Sequence, residues 1–61
     1  MIEIGTLVLW HGGLARLNPE LNWIGIVSGE APLPSPFGLY YPVIFPYIKQ
    51  SCLIDELEVL A

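Results

Sequence analysis

The sequence predicts an all-β fold, a small barrel of five short strands with one helical turn before the last, and three observations lead there. From Ile2 to Trp10 the chain alternates: Ile2, Ile4, Thr6, Val8 and Trp10 share one parity, and Glu3, Gly5, Leu7, Leu9 and His11 share the other, which is the period of a strand. Two further branched and aromatic runs, Trp23 to Ser28 and Tyr40 to Phe45, are short and bounded by glycine or proline. The one stretch whose leucines fall near helical spacing, Gly12 to Asn22, is split by Pro19.

Taken in order, the first strand is Ile2 to Trp10. Its even set makes the better core face because it holds Ile4, Val8 and Trp10, which leaves Leu7 and Leu9 on a second face that would ordinarily be polar. Gly12 and Gly13 break the run. Gly12 to Asn22 reads as a long loop with room for one helical turn, opened by Asn18 as cap and Pro19 at the first position. Trp23 to Ser28 is the second strand, in which Gly25 marks a bulge or a close approach of another backbone. Glu30 to Leu39, carrying Pro32, Pro34, Pro36 and Gly38, is an extended stiff loop. Tyr40 to Phe45 is the third strand, Ser51 to Ile54 the fourth, Asp55 to Leu57 a helical turn, and Glu58 to Leu60 a fifth strand that completes the barrel against the first.

Composition sets the functional frame. Apolar residues make up 54% of the 61 positions, charged residues 13%, and mean hydropathy is +0.62. The longest uncharged stretch, Ala31 to Ile48, cannot serve as a membrane helix, because Pro32, Pro34, Pro36, Pro42 and Pro46 interrupt it. A chain of this length forms one domain, spanning 1–61, and buries only about 60% of the surface its unfolded form exposes. Apolar area therefore remains outside unless protein covers it. The formal charge of -4, with Arg16 and Lys49 the only Lys or Arg, gives a phosphate backbone almost nothing to pair with, so direct nucleic-acid binding is not expected. Cys52 is alone, which precludes an intrachain disulfide and fits a reducing compartment. Glu3 to His11 lacks the basic start and cleavage site of a secretion signal, so no signal peptide is expected.

Several chemistries fail on residue supply. His11 and Cys52 are a single pair far apart in sequence, whereas structural zinc wants four ligands in paired spacing. No metal, cofactor or catalytic site is expected. His11 reads as a half-exposed strand end and Cys52 as a small buried hydrophobe. Glu30 has no second acid opposite it; Asp55 and Glu56 suit the first turn of a helical segment, where free amides welcome negative charge, and Glu58 faces solvent. Gly12-Gly13 lacks the Lys and Ser/Thr of a phosphate loop. The proline run misses Pro-x-x-Pro, since Ser35 follows Pro32 by three and Phe37 follows Pro34 by three, so it reads as a stiff contact loop. The seven aromatics resemble a base-stacking platform only without the cations that such a platform needs.

The series Ile4-Gly5-Thr6-Leu7-Val8, Gly25-Ile26-Val27, Val43-Ile44-Phe45, then Ser51 to Ile54 running into Asp55-Glu56-Leu57-Glu58-Val59-Leu60, resembles the small SH3-like barrels that tailed bacteriophages encode as short proteins. The resemblance covers nearly the whole chain and departs from the family in the second loop, where proline and aromatic residues replace a more polar sequence. It implies contacts through the first long loop and the loop after the second strand. The expected function is thus a non-enzymatic phage structural protein, a minor virion subunit in a capsid, neck or tail accessory or cement role. Its partners are other virion subunits or further copies of itself, with no nucleic acid and no membrane, and it resides in the virion after passing through the host cytoplasm. The expected interface is Leu7, Leu9, Pro34, Pro36, Phe37, Leu39, Tyr40 and Tyr41. The alternative is a phage-encoded regulatory module that attaches to a host protein.

Overall fold

Glycine decides where the first strand begins. Gly5 adopts φ +85°, in the left-handed region that an L side chain resists, and the Thr6 amide closes back on the Glu3 carbonyl at 3.2 Å. The amino end therefore turns before it pairs, and strand β1 is Leu7–Trp10 rather than Ile2 to Trp10. Ile4, expected in the core, lies 71% exposed at this turn. The inward parity of Val8 and Trp10 is as expected, and both are buried.

The computed structural model describes residues 2–61. Among them the chain continues with helix α1 (Gly13–Leu17), β2 (Ile24–Val27), β3 (Leu33–Ser35), β4 (Gly38–Ile44), β5 (Lys49–Leu53), a 3-10 turn (Ile54–Glu56) and β6 (Leu57–Val59). The fold is all-β. All pairings are antiparallel, in the order β3-β4-β2-β1-β6, with β5 on the remaining edge of β4. β4 is the hub: Ile44 pairs with Ile26 on one side and Lys49 on the other, while Tyr40 pairs with Leu33 and Leu53. β6 returns to β1 with Val59 opposite Val8, as expected of the carboxyl end, and the Leu60 amide extends the ladder to the Leu7 carbonyl. The sheet does not close, because β5 and β6 are joined by the 3-10 turn without pairing to each other.

Beyond the start of β1, two further segments differ from the sequence expectation. The helical turn between Gly12 and Asn22 precedes Asn18 instead of following it, so Asn18 caps the carboxyl end. Its backbone amide and its side-chain amide both donate to the Leu14 carbonyl, at 2.9 and 3.0 Å. Pro19 then stands just past a helix that it cannot continue. Only Ala15 of this helix is buried, against the core, while Leu14, Leu17 and Leu21 stay exposed. The second difference is β3. The proline segment is extended, as its composition requires, but β4 captures part of it as an edge strand, giving six strands instead of five. Pro34 is tolerated because one side of an edge strand needs no amide donor.

The core comprises Val8, Trp10, Ala15, Trp23, Val27, Tyr41, Val43, Phe45 and Cys52. Aromatic rings occupy its centre. Trp10 meets Trp23 edge-on with centroids 5.5 Å apart and stacks on Phe45 at 5.8 Å, while Trp23 meets Phe45 edge-on at 5.3 Å. Such pairs contribute about 0.5–1.5 kcal/mol each beyond area burial. Gly25 makes the arrangement possible. A Cβ there would lie 2.7 Å from the Ile44 carbonyl oxygen and 2.9 Å from the Phe45 ring, so the close approach read from the sequence is the reason for glycine. Gly25→Ala is expected to destabilise the fold by about 1–3 kcal/mol through overpacking, read as a lower urea midpoint; an unchanged midpoint would show that β4 moves aside freely.

Candidate protein-docking surfaces

A hairpin and a sheet face hold the apolar groups left outside the core. In the hairpin, β3 and β4 pair Leu33 with Tyr40, Pro34 with Leu39 and Ser35 with Gly38, leaving Pro36-Phe37 as the turn. Ser35 organises it: the hydroxyl donates to the Gly38 carbonyl at 2.8 Å and accepts from the Phe37 amide at 3.1 Å. Phe37 projects 73% exposed and Leu33 61%. Pro34 and Pro36 are exposed beside them, whereas Leu39 and Tyr40 are half-buried. Tyr41 departs from the expected interface. It points inward opposite Cys52, is 2% exposed, and its hydroxyl accepts from the Ile2 amide at 3.2 Å. The parity it shares with Val43 and Phe45 explains this and was visible in the sequence.

The second surface is the outward side of β1, β2 and β4. Leu7 is exposed there and Leu9 half-buried, as the alternation of β1 requires. Register adds residues that the sequence reading did not name: Ile26 stands opposite both Leu7 and Ile44, and Ile24 opposite Leu9. All three isoleucines are exposed. The hairpin and this face lie toward opposite ends of β4.

A shallow groove of about 530 Å³ runs between the amino-terminal segment and the turn after β2, lined by Ile2, Ile4, Val27, Ala31, Pro32 and Tyr41. It is mostly apolar, with Glu3, Ser28 and Glu30 also in its wall, and no sequence pattern announced it.

The titratable groups are dispersed. His11 Nε2 lies 3.1 Å from Glu58 Oε1, Lys49 pairs with Glu30, and both pairs are exposed. Surface pairs of this kind contribute little to stability. Glu56 accepts a long hydrogen bond of 3.4 Å from the Trp10 indole. Tyr47 donates to the Asn22 carbonyl at 2.8 Å; desolvation and then the Glu20 carboxylate hold its hydroxyl above the ordinary value. Among the described residues, no group of three or more His, Cys, Asp or Glu is arranged to hold a metal ion, and no helix is long and apolar enough to cross a membrane.

The chain matches no protein-family model, no curated protein and no solved structure.

Cys52 sits in the core beneath Tyr41, and burial followed by the nearby Glu56 carboxylate pushes its thiol up to about 12. A thiol raised on folding leaves the native state favoured below the unfolded value of 9.0 and costs stability as pH climbs from there toward 12. Stability should therefore fall between pH 8 and pH 10.5, and fall less in Cys52→Ala, by urea titration at the two pH values. Equal losses in both proteins would show that the thiol ionises as readily folded as unfolded.

Proposed function

We propose that this chain is a non-enzymatic protein-docking subunit that engages its partner through the β3–β4 hairpin, with Phe37 as the anchor. The observation that carries this reading is Phe37 itself, a large apolar side chain 73% exposed on a turn pinned by Ser35. Held between Pro36 and Gly38, it has little conformational entropy left to lose on docking, and a rigid aromatic that fills a partner's pocket has the character of an interface hot spot. Leu33 and Pro34 on the neighbouring strand widen the apolar contact.

The fold belongs with this proposal. The path β6-β1-β2-β4-β5, with a 3-10 turn between β5 and β6, supports reading the open sheet as an SH3-like barrel. The resemblance of the sequence to phage-encoded barrels supplies the setting, a minor virion subunit. The hairpin lies in the loop after the second strand, one of the two regions through which that resemblance implies contact.

Phe37→Ala is expected to keep the parent melting behaviour while weakening assembly by about 2 kcal/mol or more, and Glu30→Gln should leave assembly unchanged. Purified particles analysed by mass spectrometry provide the readout. Undiminished incorporation of Phe37→Ala would remove the hairpin from the contact. Absence of the parent chain from particles, together with its capture on a host protein, would replace the virion role with the regulatory one.

A further inference from the structure

The outer margin of the hairpin offers no hydrogen-bond donor, and the register shows why. β5 occupies one side of β4 from Tyr40 to Ile44, so β2 and β3 share the other side. On that side the Pro42 carbonyl accepts from the Ser28 amide at 2.9 Å. Backbone direction alternates along a strand, so Tyr40 and Gly38 turn their peptide groups the same way, toward β3. Their partners, Leu33 and Ser35, direct N–H and C=O at β4, and Pro34 between them turns its backbone to the open side. Pro34 has no N–H, and Pro32 before the strand and Pro36 after it bring none either. The open side of β3 thus presents a carbonyl alone. Pro34 is exposed there, and so are Leu33 and Phe37.

We propose that Pro34 closes the edge of the hairpin to strand addition, so that Leu33 and Phe37 stand exposed without drawing the hairpins of two copies into a shared sheet. An exposed apolar edge strand is otherwise a template for pairing with another chain. The most direct such pairing is antiparallel, β3 against β3 of a second copy, centred on Pro34 because its backbone faces out. An ordinary residue at that centre would donate its N–H to the carbonyl of its mate and accept in return, the closely spaced bond pair of an antiparallel ladder. Proline removes both bonds at once, since the twofold axis sets it against itself. Leu33 and Ser35 cannot substitute, because their donors face β4. Contact with the hairpin is thereby confined to side chains, and a partner must present a pocket to Phe37 rather than a strand to β3. That last consequence alone rests on the docking role proposed for Phe37; the closed edge does not, and its test involves no partner.

Pro34→Thr in the full chain restores the missing N–H on a residue suited to strands. The variant should fold as the parent does and self-associate about tenfold more tightly or more, the scale of two added hydrogen bonds. Sedimentation velocity of both proteins across the micromolar range reads this change. Amide hydrogen exchange then locates its cause. In the dilute variant the amide at position 34 should exchange freely while those of Leu33 and Ser35 are protected, and on association it should become protected too. A variant that associates no more tightly than the parent would overturn the proposal. So would an amide at position 34 already protected in the monomer, which would turn it toward β4, or association that leaves it unprotected, which would put the contact elsewhere. Pro34→Ala, with the same N–H on a smaller side chain, decides by the same criteria should Pro34→Thr not fold. Loss of folding in both would make Pro34 a requirement of the hairpin itself and overturn the proposal as well.

Discussion

Everything in this fold leans on the close approach of β4 to Gly25. With no side chain at that position, the Ile44 backbone and the Phe45 ring settle against β2, and Phe45 thereby reaches Trp10 and Trp23 together. The three rings come from the end of β1, the residue before β2 and the residue after β4, so one cluster ties the strand ends that the loops would otherwise leave free. The indoles extend that hold. Trp23 donates to the Asn18 carbonyl at 2.8 Å and anchors the exit of α1, while Tyr47 packs edge-on against Trp23 from the turn before β5. A chain without a disulfide has only such packing to resist the entropy of unfolding.

The same economy accounts for the surface. A single sheet wrapped on one side around a small aromatic core buries the inward parity of β1 and β2 and leaves their other parity outside, together with Ile44 at the end of β4. In a larger domain a second layer would cover it. Here the outward parity of β1, β2 and β4 is Leu7, Ile26 and Ile44, as apolar as many cores. The hairpin adds Phe37 and Leu33 at the other end of β4. Apolar exposure concentrated on defined surfaces, beside dispersed acids and two exposed ion pairs among the described residues, is the pattern on which the proposed docking role rests.

Local pattern made much of this architecture legible. Alternation placed Val8 and Trp10 inward, branched runs located β2 and most of β4, the lone cysteine read as buried, and the carboxyl-terminal cadence led to a strand against β1. These features depend on neighbours within a few residues, and period, propensity and capping act at that range. Gly25 was legible as well, since a glycine inside a strand has few reasons to be there.

Long-range pairing decided the rest. Proline chemistry makes Leu33 to Ser35 extended, but only the free edge of β4 makes it a strand. Nothing local tells Asn18 whether to open a helix or close one; the packing of Ala15 and the Trp23 indole settle it. The row of Leu7, Ile26 and Ile44 exists only through register, because a slip of one residue would send each side chain to the opposite face. The sequence alone thus carries the periods and breaks that set element type, together with the apolar surplus that calls for a covering surface. Where that surplus gathers is a property of paired strands, since adjacency across a sheet joins residues that the chain keeps far apart.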